Sequence, residues 1–417
     1  MTMTAMTTTP PQSATSPRKL RRWVWSFAGV LLLLLAVGGG YNWMLGRFEQ
    51  SCRVAKAEKR WADLQSLALR WSSWNPKSGA AWVYLADAVQ HQDRFVEAAE
   101  YLSRVPEGSL EELPSRLVRC KILMGPANQP FAGEQACLEL LAREPKATGA
   151  HELLIQYYAV TLQRDKLRRQ IAEAIRAQRE PPDAYIYVFF IDSLRLAQGP
   201  DLCELWLKSF PDNEILTVAG VLHRADTALH DPSSTIGPDP TVLTEMERDA
   251  RNLLKQFPHN TNLLAFLIDE EITKGRVEHV LALLGQSTSD AERDPRFWRF
   301  QGWIHFVRGE VDDAERAYRK ALSLHPMDWL TLHRLAELER TRGASAEVIR
   351  LEGLVKRAHI LRIKIRELPT AQNPPKNLLR EIGRLARDSG DSLIAEALQR
   401  RLGLTDPPQT VKPVIPK

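Results

Sequence analysis

The residues that could do chemistry in this chain are few and scattered. The 417 residues include 10 histidines and 4 cysteines. The sequence holds no His-Glu-x-x-His zinc motif, no Gly-x-Ser-x-Gly nucleophile motif and no glycine-rich phosphate loop. Asp269, Glu270 and Glu271 are consecutive, so a helix would point their carboxylates in different directions rather than pair them. The sequence therefore predicts a protein that is not an enzyme and that needs no metal or cofactor.

Two of the cysteines have a spacing that bears on their chemistry. Cys120 and Cys137 flank the segment GPANQP at residues 125–130, which predicts a turn. In an antiparallel hairpin folded about that turn, both lie at nearly the same distance from its centre and could face each other. Two interpretations stay open: a disulfide, which an oxidising compartment would permit, and two small buried core residues.

The elements that would position these residues are helical hairpins. The clearest stretch is PRFWRFQGWIHFVRGEVDDAERAYRKALSLHP, from Pro295 to Pro326. A large and a small residue open its first helix, a glycine lies in its turn, small and aromatic residues line its second helix, and a proline ends it. These positions are Trp298, Gly302, Gly309, Ala314, Tyr318, Ala321 and Pro326.

This stretch resembles the tetratricopeptide repeat (TPR), a helix–turn–helix unit of about 34 residues. It departs from the family at Gln301 and His305, where the family prefers Leu and Tyr. The resemblance implies a protein that binds other proteins and rarely catalyses a reaction. In such proteins a bound segment lies in the concave groove and is held mainly by residues of the first helices. The candidate contacts are exposed first-helix positions, namely Tyr84, Asp87, Arg299 and His305.

Similar patterns recur along the chain. A unit near the N-terminus carries matching positions at Trp82, Leu85, Ala86, Ala98 and Leu102. Further units precede and follow the clearest one, although the second helix after residue 343 is degenerate. Because one hairpin cannot bury its apolar face alone, several must stack. The sequence therefore predicts an all-α solenoid of stacked TPR-like hairpins over residues 47–368, a C-terminal capping helix region at 369–404 with one helix or a pair, and a disordered tail at 405–417.

The N-terminal part predicts a membrane anchor. Residues 1–18 read as a disordered tail and residues 19–46 as a transmembrane helix with a basic flank. From Trp23 to Leu45 there is no charge, and about 20 apolar residues suffice to cross a bilayer. A cleaved signal peptide is the alternative interpretation. The basic cluster before the span favours a cytoplasmic N-terminus and an extracytoplasmic solenoid, periplasmic in a bacterium; it consists of Arg18, Lys19, Arg21 and Arg22.

The charge balance argues against a nucleic-acid binder. The chain has 56 Lys plus Arg against 51 Asp plus Glu, and the basic flank of the span accounts for most of the excess. The basic run from Lys356 to Arg366 is typical of a solvated helix face, with an acidic protein or anionic lipid as alternative partners. The sequence thus predicts a membrane-anchored scaffold for a protein or peptide. The alternatives are a structural protein that forms homo-oligomers, or a non-catalytic subunit of a membrane enzyme complex.

Overall fold

A computed structural model describes residues 43–229 and 240–403, and every regular element in these two ranges is helical. The tails expected at 1–18 and 405–417, and all but the last few residues of the expected anchor at 19–46, lie outside the described residues. Within the described ranges, no helix has both the length and the apolar character needed to cross a membrane. The chain divides into two compact units between Ser115 and Arg116.

The described part of the first unit, from residue 43 onward, contains four helices before the division. They are α1 (43–57), α2 (Trp61–Trp74), α3 (Gly79–Gln90) and α4 (Phe95–Ser103). Helix α3 packs against both α2 and α4. Of the repeat positions in this unit, Leu85, Ala86, Ala98 and Leu102 are buried. The half-buried Trp82 donates its indole N–H to the carbonyl oxygen of residue 76 at 2.9 Å. Apolar burial at helical spacing thus holds these hairpins together.

The second unit is a longer run of hairpins, and the division between the units falls in the first turn of α5. Its helices are α5 (Glu112–Met124), α6 (Pro130–Arg143), α7 (Thr148–Val160), α8 (Arg164–Arg176), α9 (Ala184–Phe190), α10 (Gly199–Leu207), α11 (Glu214–Leu229), α12 (Pro240–Gln256), α13 (Thr261–Thr273), α14 (Val277–Leu284), α15 (Pro295–Val307), α16 (Val311–Leu324), α17 (Trp329–Thr341), α18 (Ser345–Arg366), α19 (Lys376–Ser389) and α20 (Ser392–Arg401). Short 3₁₀ turns lie at Ile191–Ser193 and Ser289–Arg293.

Side-chain caps and left-handed turns define where these helices begin and end. Asn260, Asp294 and Asp328 accept hydrogen bonds from backbone N–H groups in the first turns of α13, α15 and α17, which would otherwise lack partners. Gly309, between α15 and α16, has φ +76°, a conformation that residues with a Cβ rarely adopt. The inter-helix connections are therefore encoded locally.

Two features of the C-terminal part differ from a plain repeat. The segment after residue 343, whose match to the repeat pattern is degenerate, forms one continuous helix of 22 residues, α18. It packs against α17 and α19. The capping region contains a pair of helices, α19 and α20, rather than one. These two pack back against α9 and α8, so the end of the second unit contacts its middle.

Candidate functional site

The repeat from Pro295 to Pro326 packs through the small and aromatic positions of its signature. A Cβ atom built on Gly302 would lie 2.5 Å from Cε1 of Tyr318, so α15 and α16 approach closely only because residue 302 has no side chain. Trp298 is half-buried and donates its indole N–H to the carbonyl oxygen of Glu292 at 2.8 Å. Ala314, Tyr318 and Ala321 are fully buried, and Pro326 follows the end of α16.

Helix α8 begins in the interior of the second unit, against residues about 100 positions later in the chain. Arg164 is only 8% exposed. Its Nε donates to the carbonyl oxygen of Ile191 at 2.8 Å, and its Nη1 donates to Oδ1 of Asn262. The same Oδ1 accepts from Arg296 at 3.1 Å, while Nδ2 of Asn262 donates to the carbonyl oxygen of Leu162 at 3.1 Å. One asparagine therefore joins α8 to the starts of α13 and α15.

A second buried cluster joins the 3₁₀ turn after α9 to the connection between α16 and α17. Nδ1 of His325 lies 2.6 Å from Oδ2 of Asp192, and both side chains are nearly inaccessible to solvent. Burial alone would raise the pKa of Asp192, but the charge of His325 and its hydrogen bond outweigh burial and lower it. Burial alone would lower the pKa of His325, but Asp192 outweighs burial and raises it. Both shifts favour the charged forms, a carboxylate and an imidazolium.

Arg299 of α15 extends this network. Its Nη1 lies 2.8 Å from Oδ2 of Asp328 and its Nη2 lies 3.5 Å from Oδ1 of Asp269. The ligand atoms of Asp192, His325 and Asp328 lie within 4.8 Å of one another, a spacing that could also hold a metal ion. Because the guanidinium of Arg299 already faces Asp328, the charges fit an ion-pair network better than a cation site.

The four candidate groove residues fall into different environments. In the first unit, the ring of Tyr84 lies 6.0 Å from Nζ of Lys56, and Asp87 pairs with that Nζ at 3.0 Å. In the second unit, His305 pairs with Glu310 at 2.5 Å near the surface. The expectation that Arg299 is exposed is wrong: it is 5% exposed, because its face of α15 turns into the interior of the second unit.

The two cysteines singled out in the sequence lie on α5 and α6. Both thiols are free and fully buried, and they hydrogen-bond to each other. That hydrogen bond, followed by burial, raises the pKa of Cys137. The hairpin about residues 125–130 therefore brings the two side chains together as free thiols, and the disulfide stays a prediction.

Three cations of the basic run on α18 contact neighbouring side chains. Arg357 pairs with Asp388, and Lys364 lies 2.7 Å from Oε2 of Glu381, so both bridge to α19. The guanidinium of Arg362 lies 4.8 Å from the ring centre of Trp329. These contacts are those of helix packing, and they agree with the interpretation of the run as part of an amphipathic helix.

The sequence did not identify the buried polar residues of the second unit. Asp328 and Asn260 carry a readable signal, because each precedes a helix as a capping residue. Asp192, His325 and Asn262 carry no such signal, since Arg164 lies 98 positions from Asn262, and Asp192 and His325 lie 133 positions apart.

The stacked helical hairpins define a helical repeat protein, and comparisons with known proteins specify the repeat. The tetratricopeptide repeat family matches residues 295–328. Residues 295–328 thus match the tetratricopeptide repeat, so the chain contains a repeat of this family. A TPR repeat-containing protein of Pseudomonas aeruginosa is 26% identical over 168 residues. The match covers 38% of this chain and 26% of that protein, so the chain spans about a quarter of the length of this relative.

The chain is also similar to several solved structures, at low sequence identity and low TM-score. A tetratricopeptide repeat protein from Parabacteroides merdae is 12% identical, with a TM-score of 0.26, 70% of this chain covered and 98% of that chain. Yeast Tom70 is 14% identical, with a TM-score of 0.27 and coverages of 88% and 72%. The human IFIT1 dimer is 11% identical, with a TM-score of 0.33 and coverages of 87% and 90%.

Proposed function

We propose that this chain is a scaffold that binds a protein or peptide partner, held at a membrane by residues 19–46 with its helical repeats on the extracytoplasmic side. The repeat at 295–328 carries the first part of the proposal, because repeats of this class present extended surfaces to other proteins. The uncharged span and its basic flank in the sequence support the anchor and its orientation.

The most suitable binding surface lies on the first unit, beside α3. In the second unit, side chains that would face the interior of the repeats, such as Arg299, are held by the chain's own residues. On α3, Tyr84 and Asp87 lie next to Lys56, which pairs with Asp87 at 3.0 Å, but both side chains are only half-buried and so stay partly accessible. An aromatic ring, a carboxylate and an ammonium group on one surface provide stacking and hydrogen bonding for an extended peptide.

Site-specific photo-cross-linking tests the surface directly. A photo-reactive amino acid would replace Tyr84 in the full chain, and a matched variant would carry it at Ile349, which is 72% exposed on α18 of the other unit. We expect a discrete adduct from position 84 in native membranes and none from position 349. Asp87→Arg should reduce the yield of the adduct, because it reverses a charge on the proposed surface.

The products also separate the proposal from its alternatives. Adducts from position 349 but not from position 84 would contradict the proposed surface. An adduct of two copies of this chain would instead favour the self-associating structural role.

For the anchor, intact-mass measurement of the membrane-extracted protein should show that residues 19–46 are retained, and an alkaline phosphatase fused to the C-terminus should be active. A mature N-terminus near residues 40–42 would contradict the retention of the anchor. An inactive fusion would contradict the extracytoplasmic orientation of the repeats.

A further inference from the structure

A cavity of about 350 Å³ lies in the second unit where the end of the chain meets its middle. Its walls come from α8, α9, the connection between α16 and α17, and the turn between α19 and α20. The residues that line it include Arg168, Ile171, Val188, Leu324, His325 and Asp391. Small-molecule sites have volumes of roughly 300–1,000 Å³, so this cavity suits a small ligand.

His325 provides one polar group of the cavity. It is 3% exposed, and Asp192 holds its Nδ1 edge at 2.6 Å. Its Nε2 is buried and has no hydrogen-bond partner among the described residues. A buried donor without an acceptor is unfavourable, and a buried imidazolium is more so. A ligand that brings an acceptor to Nε2 would therefore gain a charge-assisted hydrogen bond.

Arg168 provides a second donor and Asp391 an acceptor. Nη2 of Arg168 is buried and also lacks a hydrogen bond within the described residues; it lies 3.8 Å from Oδ1 of Asp192. Asp391 caps α20 with one oxygen, Oδ1, which accepts from the N–H of Ile394 at 3.1 Å. Asp391 lies close enough to His325 and Arg168 for their charges to lower its pKa, although burial dominates and raises it. The cavity thus presents two cationic side chains that each carry a buried donor atom without a hydrogen bond, and one carboxyl group, while a third cation in its lining, Arg169, pairs with Asp165.

The rest of the lining is mainly aliphatic. Ile171 and Ala172 of α8, Val188 of α9 and Leu324 of α16 contribute side chains, and Ile394 closes the wall at α20. An apolar pocket with a few convergent polar groups is the usual form of a small-molecule site. The ligand should therefore carry an aliphatic group as well as charged ends.

We propose that this cavity binds an aliphatic α-amino acid, with the carboxylate at His325 and Arg168, the ammonium group at Asp391, and the side chain against Ile171 and Val188. Each charged end of the ligand then meets the opposite charge in the protein. The site is separate from the proposed peptide surface on the first unit, and its test does not depend on that surface.

The test uses the full-length chain in detergent and three probes measured by isothermal titration calorimetry. The probes are L-leucine, isocaproate (leucine without its amino group) and isoamylamine (leucine without its carboxylate). We expect L-leucine to bind most tightly, isocaproate to bind about tenfold more weakly for the loss of one charged contact, and isoamylamine to bind weakest.

Two variants distinguish the roles of the charged groups. Asp391→Asn keeps the helix cap, since Asn and Asp cap equally well, but removes the charge. It should weaken L-leucine about tenfold while leaving isocaproate unchanged or tighter. Arg168→Gln should weaken both. Arg316→Gln, the same change at an exposed position on α16, should leave all three affinities unaltered.

Specific results would overturn the proposal. They are no binding of L-leucine to the wild-type chain, an equal loss of L-leucine and isocaproate binding in Asp391→Asn, or unchanged binding in Arg168→Gln. If Arg168→Gln unfolds the chain, as its circular dichroism would show, the selectivity of Asp391→Asn decides the question alone.

Discussion

The contact between Gly302 and Tyr318 leads to the most direct prediction. In Gly302→Ala, the new Cβ would lie 2.5 Å from Cε1 and 2.6 Å from Cδ1 of Tyr318. Cβ atoms essentially never approach other heavy atoms below 3.0 Å, so the ring or one of the helices must move. Tyr318 is fully buried, so a shift of its ring would displace other packed groups. Overpacking of this kind costs about 1–3 kcal/mol of the free energy of unfolding.

Gly285→Ala provides the matched control. Gly285 follows α14 in the right-handed helical region, with φ −65° and ψ −16°. A Cβ there would meet only the carbonyl oxygens of Leu281 and Ala282, at an ordinary 3.5 Å. Replacing glycine by alanine at a compatible position stabilises a protein by about 0.4–1 kcal/mol. The two Gly→Ala variants should therefore change stability in opposite directions.

Urea unfolding of the full-length chain, followed by circular dichroism, measures the difference. We expect the midpoint of Gly302→Ala to fall and that of Gly285→Ala to stay or rise, a separation of roughly 1–4 kcal/mol at equal m-values. In a Tyr318→Leu background the clash is relieved, and the cost of Gly302→Ala should shrink by roughly 0.5–3 kcal/mol, the usual coupling between contacting residues. Equal midpoints for the two alanine variants, or an unchanged cost in the Leu background, would refute the packing argument.

Three further outcomes follow from buried polar groups. Burial lowers the pKa of His223 to about 4, so on acidification this histidine is protonated in the unfolded chain before it is protonated in the folded chain. The free energy of unfolding should therefore fall by up to about 3 kcal/mol as pH drops from 6.5 to 4. His223→Gln should flatten this part of the plot of stability against pH, and an unchanged slope would contradict the assignment. Asn262→Ala removes the acceptor shared by two buried arginines and should cost about 1–3 kcal/mol, whereas the exposed Asn252→Ala should change the urea midpoint by less than about 0.5 kcal/mol. If the repeats are extracytoplasmic, Cys120 and Cys137 should resist alkylation in denaturant until a reductant is added; labelling of both without reductant would exclude the disulfide.

The repeat from Pro295 to Pro326 shows how much of the fold could be predicted from the sequence. Its large, small and aromatic positions follow helical spacing, and its turn glycine has the positive φ that the position requires. Such signals are local, because they depend on residues within one hairpin. Helix α18 shows the limit of such a motif: a poor match to the repeat pattern does not prevent a sequence from forming a long helix when neighbouring helices bury its apolar side.

The sequence by itself determined the helical hairpins, their capping residues and the small residue at the α15–α16 contact. Only the tertiary structure decided which polar residues are buried, as Arg299 and the pair of Asp192 and His325 demonstrate. The physical reason is that stacked hairpins rotate slightly at each step, and these rotations accumulate. Residues more than 100 positions apart then meet inside the second unit, and no periodicity within a single hairpin specifies that meeting.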